Sequence, residues 1–315
     1  MRTTTGSAEQ AAFEALEFRL KTLLPEEYQE CYDEVEPVSM GSAALKYGRD
    51  GKVAWNDIWS TFCDLAMAGG PPHKGALLEP GSRAAIDAEP DRYRQVVDEI
   101  CRGVSMVTDL PAEPSPVPGW VRVDCETSGM AEWLVRAIVM ENVSARCQGA
   151  LLDLPAGPGY RVEKEIKNVI TVIAKTCHYW LGHMWATQRR DIANLFATMA
   201  AESPLVQPAF ADDDFQADRH QALCTKMGET IHRLTGLHPS NHRYTGWLGL
   251  ECPNVRAAVW MMRAMVAANV LARREETTLF VPVNPATDPE GETVVKPVIR
   301  IHGFASAQGI PGLDP

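Results

Sequence analysis

The sequence predicts an α/β or layered α+β fold with an internal tandem duplication. The segment 119–158 recurs without a gap as 246–285, an offset of 127 residues, and 15 of the 40 aligned positions are identical. Average residue usage would give about two or three identities. The same offset aligns Asp91-Arg92 with Asp218-Arg219. We therefore predict two copies of a helix/strand unit of about 127 residues, related by pseudo-two-fold symmetry.

Each copy shows the same order of local patterns. A helix with a Trp-x-Thr…Asp motif (Trp59, Thr61 and Asp64 in copy one) precedes the short apolar run 75–80, and a second amphipathic helix begins near Asp91. A Pro-rich loop then leads to the alternating strand 120–125, a long helix over about 129–147 and the run 150–155. Single strands between helices are typical of parallel βαβ connections.

The long helix is apolar on almost every side in both copies, so we expect it to be buried together with Trp133 and Trp260. The expected domain boundaries are an N-terminal helical extension over 1–26, copy one over 27–158, copy two over 159–298 and a tail over 299–315. The chain length fits a duplicated domain.

Composition narrows the class of protein. The 315 residues are 45% hydrophobic and carry a formal net charge of −11 with no Lys/Arg cluster, which disfavours nucleic acid and anionic membranes as partners. No apolar run reaches membrane-spanning length, and the N-terminus lacks the apolar region of a secretory signal. Eight scattered cysteines without a Cys-x-x-Cys motif favour free thiols in a cytoplasmic protein.

The end of the alternating strand supplies the first candidate site. Cys125 and its counterpart Cys252 stand between this strand and the long helix, where Thr127 and Ser128 have N-cap character. A thiol at a helix N-terminus can have a lowered pKa, which makes Cys125 the candidate nucleophile and Cys252 a candidate ligand-binding residue. The alternative is that a small buried side chain simply fits the strand end.

Two arginines at corresponding positions of the two copies supply the second candidate site. Arg146 and Arg273 each follow an asparagine at i, i+4 (Asn142 and Asn269), which is placed near the end of the long helix. An arginine pair can clamp a carboxylate or a phosphate. The alternative is that each arginine interacts with the last carbonyls of its helix.

A Gly/Pro loop after the run 150–155 supplies the third candidate. Gly157 and Gly159 would let the backbone approach a ligand, Arg161 would add a cation, and a helix begins near Val162. Ligands bind beyond the carboxyl ends of parallel strands, so the loop is expected to join Cys125, Thr127 and Ser128 in one anion site. The loops expected to leave strands in copy two are 207–216, 252–256 and 281–292. A plain turn is the alternative.

The histidines and the other loops do not predict a metal site. His178 and His183 lie five residues apart on a predicted helix, about 140° around its axis, which is poor geometry for chelation. His238 and His242 lie in a loop, as do His73 and Lys74, and the run Asp212–Asp214 is expected to be solvated. The sequence identifies no cofactor.

The leading functional hypothesis is a cytoplasmic protein that binds a small anionic metabolite or cofactor near the interface of the two copies, with or without catalysis. A second hypothesis is a non-catalytic assembly subunit, either a homo-oligomer or a protein with another partner. Its contacts would come from stretches rich in Met and Trp: Trp180, Met184, Trp185, Met261, Met262 and Met265. A third hypothesis is a metal or tetrapyrrole handling protein that uses the copy-two histidines and the scattered thiols.

Overall fold

The structure, a computed structural model, describes residues 3–24, 44–57, 66–68, 75–210, 215–307 and 309. Its helices are α1 (Thr3–Leu23), α2 (Arg83–Ala88), α3 (Pro90–Thr108), α4 (Ser128–Met140), α5 (Lys167–His178), α6 (Ala186–Glu202), α7 (Ala217–Thr235), α8 (Val255–Ala267) and α9 (Glu292–Ala307). Its strands are β1 (Ala112–Pro114), β2 (Trp120–Asp124), β3 (Arg146–Gln148), β4 (Leu151–Pro155), β5 (His238–Tyr244), β6 (Trp247–Glu251), β7 (Arg273–Glu275) and β8 (Thr278–Pro282). The described residues do not include Trp59, Thr61, Asp64, His73, Lys74 or Asp212–Asp214.

The described residues group into two compact units, each with one sheet. The N-sheet unit contains β1 to β4 and comprises 44–57, Ala66 and 75–189. The C-sheet unit contains β5 to β8 and comprises 3–24, 67–68, 190–210, 215–307 and 309.

Both sheets are four-stranded and antiparallel. The strand order is β1-β2-β4-β3 in the N-sheet unit and β5-β6-β8-β7 in the C-sheet unit. In the N-sheet unit, Trp120 pairs with Pro155 and Asp124 with Leu151. Strands β6 and β8 pair in the equivalent register, from Trp247 opposite Pro282 to Glu251 opposite Thr278.

The structure confirms a fold of mixed helix and sheet, but the expected parallel connections are wrong. Two strands, not one, follow each of α3, α4, α7 and α8, and every pairing between the strands β1 to β8 is antiparallel. Among the described residues, parallel pairing is confined to two isolated bridges, Leu78 with Val143 and Val206 with Val270. Strands β1 and β3 escape prediction because three residues are too few to show an alternating pattern.

The long helix of copy one is also shorter than the expected 129–147. Helix α4 ends at Met140, and Asn142 adopts the left-handed conformation with φ of 59°, as Asn269 does after α8 with φ of 64°. Asparagine tolerates this region better than most residues, so it turns the chain out of the helix. The arginines that follow therefore lie on strands: Arg146 on β3 and Arg273 on β7.

Helices α4 and α8 form the centres of the two cores. Trp133 on α4 is 0% exposed and Trp260 on α8 is 7% exposed, which confirms their expected burial. Burial also makes most of the residues proposed for partner contacts inaccessible to a partner. Of that set, only Trp185 is exposed, whereas the buried members are Trp180, Met184, Met261, Met262 and Met265.

Candidate functional site

The structure does not bring the predicted anion-site residues together. The Cys125 N–H donates to the Ala150 carbonyl oxygen (2.9 Å) at one end of the β2–β4 pair. Gly157 follows β4 at the other end, where the preceding Ala156 accepts a hydrogen bond from Gly81 N–H (2.9 Å). Antiparallel neighbours point their carboxyl ends in opposite directions. The segments Cys125–Ser128 and Gly157–Arg161 therefore lie at opposite edges of the sheet.

The expected lowering of the thiol pKa is not found. Cys125 is 1% exposed, and burial, followed by the charge of Asp124, raises the pKa of its thiol to about 12. Burial likewise raises the pKa of Cys252 to about 12. Thr127 does cap α4, since its hydroxyl accepts the N–H of Met130 (3.2 Å), and Ser128 is the first residue of that helix. The nucleophilic role of Cys125 thus loses its electrostatic basis.

Arg146 and Arg273 are built into their sheets. The Arg146 guanidinium lies 4.6 Å from the Trp120 ring centre, and its Nε donates to Asp153 (3.0 Å). Arg273 is 0% exposed, donates to Glu275 (2.6 Å) and stacks on three aromatic rings: those of Tyr244, Trp247 and Phe280. A ligand anion would have to displace the carboxylate that already pairs with either arginine.

The loop after β4 is packed closed in the N-sheet unit. The backbone of Gly157 packs so closely against Gly81 that a Cβ at Gly81 would lie 2.8 Å from the Gly157 Cα atom. The buried Tyr160 hydroxyl donates to the Glu79 carbonyl oxygen (2.6 Å). Gly159 is exposed, and the exposed Arg161 pairs with Glu165. The glycines here serve close chain packing, and Arg161 faces solvent.

Two kinds of buried charge were missed at the sequence level. Arg136 and Arg263 occupy the same position of α4 and α8, and they are 0% and 2% exposed. Burial lowers the pKa of Arg136 to about 10, and Arg263 donates to the Met67 carbonyl oxygen (2.6 Å). The sequence did contain a signal for them, because both copies have an arginine at this position of an otherwise apolar helix.

The second kind is an ion pair in the N-sheet unit. The Lys175 ammonium lies 2.8 Å from the Glu141 carboxylate, and both side chains are fully buried. Glu141 also accepts the N–H of Ala66 (2.7 Å), so the pair joins the end of α4, α5 and Ala66. Breaking a buried pair by removing one partner is strongly destabilising, which points to a structural role.

A cavity of about 320 Å³ in the C-sheet unit, here called the loop pocket, lies at the start of α7. It is lined by two loops that follow strand-like segments and by the first turn of the helix: Pro208, Ala209, Phe210, Phe215, Gln216, Arg219, Asn284, Pro285, Ala286 and Thr287. Among the described residues that line it, Arg219 is the one with a charged side chain. The volume is at the lower end of the range of small-molecule sites.

Arg219, which lines the loop pocket, makes different contacts from Arg92, its counterpart 127 residues earlier. Arg92 donates to the Tyr160 carbonyl oxygen (2.9 Å) and so ties α3 to the loop after β4. Arg219 is exposed and makes no hydrogen bond or ion pair with the described residues. Thr287 stands where the N-sheet unit has Tyr160. A guanidinium with free donors therefore faces a cavity.

A second cavity of the C-sheet unit, of about 380 Å³, contains a Cys–His pair. The Cys224 sulfur lies 3.7 and 3.8 Å from the two ring nitrogens of His220, so it is in line with neither lone pair. The Nε2 atom of His220 accepts the Gly246 N–H (3.1 Å). Burial raises the pKa of Cys224 to about 11 and lowers the pKa of His220. The pair is neutral and does not have the geometry of a nucleophile and its base.

Comparisons with protein-family models, with curated proteins and with solved structures find no match to this chain. Within the described ranges, no group of three or more His, Cys, Asp or Glu side chains is placed to hold a metal ion. No helix in that part of the chain is both long enough and apolar enough to cross a membrane.

Proposed function

We propose that the chain is a tandem duplication in which the C-sheet unit binds a small organic anion in the loop pocket. The counterpart position in the N-sheet unit is closed by its own side chains and serves the scaffold. The binding role agrees with the leading hypothesis from the sequence. The pseudo-two-fold relation, an interface location and a cytoplasmic setting stay predictions.

Matching hydrogen bonds at corresponding positions support the duplication. The N–H of Leu78 donates to the Asn142 carbonyl oxygen (2.8 Å), and Val206 N–H donates to that of Asn269 (3.0 Å). Tyr93 Oη accepts the Gly119 N–H (2.8 Å) where His220 Nε2 accepts that of Gly246. Two units that diverged from one ancestral unit are expected to share a hydrogen bond even where the side chain that forms it differs between them.

The observation that carries the binding proposal is the free guanidinium of Arg219 at the cavity wall. An arginine presents several N–H donors in a fixed fork that matches carboxylate and phosphate oxygens. The N–H groups of Ala217, Asp218 and Arg219 open the 19-residue helix α7, and Gln216 provides no side-chain cap. These unsatisfied amides and the helix dipole favour an anion at the same place.

The other residues that line the loop pocket indicate the chemistry of the part of the ligand that carries no charge. Two phenylalanines (Phe210 and Phe215) and two prolines (Pro208 and Pro285) give the cavity apolar walls. The Asn284 carboxamide oxygen accepts the N–H groups of Ala286 and Thr287, so it is engaged in holding the loop. We therefore expect a compact anion that carries an apolar or aromatic group.

The proposal is tested by calorimetric titration with inorganic phosphate, benzoate and phenyl phosphate. Phenyl phosphate is expected to bind more tightly than phosphate, because it fills the apolar part of the cavity. Arg219→Gln is expected to weaken binding about ten- to a hundredfold, the cost of one charge-assisted hydrogen-bond pair. Thr287→Tyr, which introduces the side chain found at Tyr160, is expected to reduce binding by filling the mouth of the cavity.

Arg92→Gln is the matched control, since it changes the corresponding arginine of the N-sheet unit. It is expected to leave affinity unchanged. Equal affinity of the wild type and Arg219→Gln would overturn the proposal, as would a selective loss in Arg92→Gln. A native mass spectrum of untagged protein complements the titration, because a copurified anion identifies the natural ligand class directly.

A further inference from the structure

The end of α5 contains two histidines whose geometry differs from the expectation for a regular helix. After His178 the chain continues as a π-helical turn, Tyr179–His183, with hydrogen bonds five residues apart. In such a turn residues i and i+5 lie on one face. His178 and His183 consequently face each other, and their Nε2 atoms are 3.2 Å apart. The sequence-based argument against chelation assumed a regular α-helix and was wrong on this point.

The distance between the two nitrogens agrees with a shared metal ion. Metal–nitrogen bonds to histidine are about 2.0–2.1 Å long, so two cis ligands lie about 2.9 Å apart at a right angle and about 3.3 Å apart in a tetrahedron. The observed 3.2 Å falls within this interval. The rings are steeply inclined, with centres 4.9 Å apart and an interplanar angle of 74°, so they are not stacked.

We propose that His178 and His183 form a two-histidine site for a divalent transition-metal ion such as Cu²⁺, Ni²⁺ or Zn²⁺. Imidazole nitrogen is a preferred ligand of these ions. Both histidines are exposed, so water or an added ligand completes the coordination. The proposal is independent of the loop pocket, which belongs to the C-sheet unit.

Neutral imidazole is the form of histidine that binds metal. The Tyr179 ring packs 4.8 Å from the His183 ring and fixes its orientation. Without metal, one Nε2–H donates to the other Nε2. On metal binding that proton moves through solvent to Nδ1 of the same ring, and both Nε2 lone pairs turn to the ion without any change of oxidation state.

A second histidine pair of the chain provides a matched control. The rings of His232 and His238 lie 4.2 Å apart with an interplanar angle of 39°, which is closer to stacking. Lone pairs of stacked rings lie in separate planes and do not converge on one ion. Removing His238 should therefore not change the affinity for metal.

The test is calorimetric titration of untagged full-length protein with Cu²⁺, Ni²⁺ or Zn²⁺ alone. The wild type is expected to bind one ion, with Cu²⁺ the tightest of the three by the general affinity order of divalent metals. His178→Gln and His183→Gln should each weaken binding at least about tenfold, whereas His238→Gln should leave it unchanged. The electron paramagnetic resonance spectrum of the Cu²⁺ form should show two nitrogen ligands in the wild type and one in each single variant.

Thermal melts without metal separate folding from binding, since both histidines are on the surface and neither variant is expected to unfold the protein. Absence of binding up to about 1 mM metal would overturn the proposal and leave a hydrogen-bonded histidine pair. Metal binding that survives in both His178→Gln and His183→Gln would overturn it equally.

Discussion

Trp133 at the centre of α4 provides the sharpest stability prediction. Its side chain is 0% exposed, and its ring lies 5.7 Å from that of Trp180. A buried indole removes about 200 Å² from water. At about 25 cal/mol per Å² this gives about 5 kcal/mol as an upper value, because the unfolded chain already buries part of that area. Trp133→Ala should therefore lower the free energy of unfolding of the N-sheet unit by about 3–5 kcal/mol.

Trp133→Phe separates packing from hydrogen bonding at the same position. The Trp133 Nε1 atom is buried and has no hydrogen-bond partner in the described part of the chain. The phenylalanine variant consequently loses no hydrogen bond and keeps an aromatic contact with Trp180. We expect its cost to be about 1–2 kcal/mol, well below that of alanine.

Urea unfolding followed by far-ultraviolet circular dichroism measures both variants. Two compact units can unfold in separate transitions, so the loss must be assigned to one of them. Trp260→Ala, the corresponding change in the C-sheet unit, is the internal comparison and should act on the other transition. A cost below about 1 kcal/mol for Trp133→Ala, or equal costs for the phenylalanine and alanine variants, would refute the packing argument.

Three further predictions follow from local structure. Thr127→Ala and Asn254→Ala each remove a side-chain cap, so urea unfolding should show a loss of about 1 kcal/mol for each, and no loss would contradict the cap assignment. Burial lowers the pKa of His220, so the folded state resists protonation of this ring. The free energy of unfolding of the wild type should therefore fall as pH decreases through about 6.5, the pKa of histidine in the unfolded state. His220→Gln should reduce this dependence on pH. An equally steep profile in the variant would count against the burial of this ring. Cys125 should react with a thiol reagent at pH 8 only when the unit opens, because it is buried and its pKa is raised; a fast-reacting thiol that disappears in Cys125→Ser would contradict this.

The sequence was sufficient to predict the helices that build the two cores. A helix that is apolar on all sides and occurs twice at a fixed offset predicts burial, and Trp133 and Trp260 are both buried. The pairing direction of the strands was not predictable in the same way. It depends on β1 and β3, which are three residues long and contain a proline or an arginine rather than an alternating apolar pattern.

The candidate site depends on contacts that no single-residue pattern reports. Arg92 and Arg219 align in sequence, yet only Arg92 bonds to the neighbouring loop. The sequence comparison indicated which loops follow strands in copy two, and residues 208–210, 215–216 and 284–287 of those loops line the loop pocket. It favoured the copy-one loop with Gly157 and Arg161, because glycines and a cation are visible in a sequence, whereas a cavity is not.

Amide chemical-shift mapping by ¹⁵N transverse-relaxation-optimised NMR, with phenyl phosphate as the titrant, tests the central claim most directly. The N–H groups of Ala217, Asp218 and Arg219 at the start of α7 should shift most, together with Ala286 and Thr287 across the cavity. The same titration of Arg219→Gln should leave these resonances almost unmoved. Shifts centred on Cys125–Ser128 or Gly157–Arg161, or no saturable shifts at all, would contradict an anion site in the loop pocket.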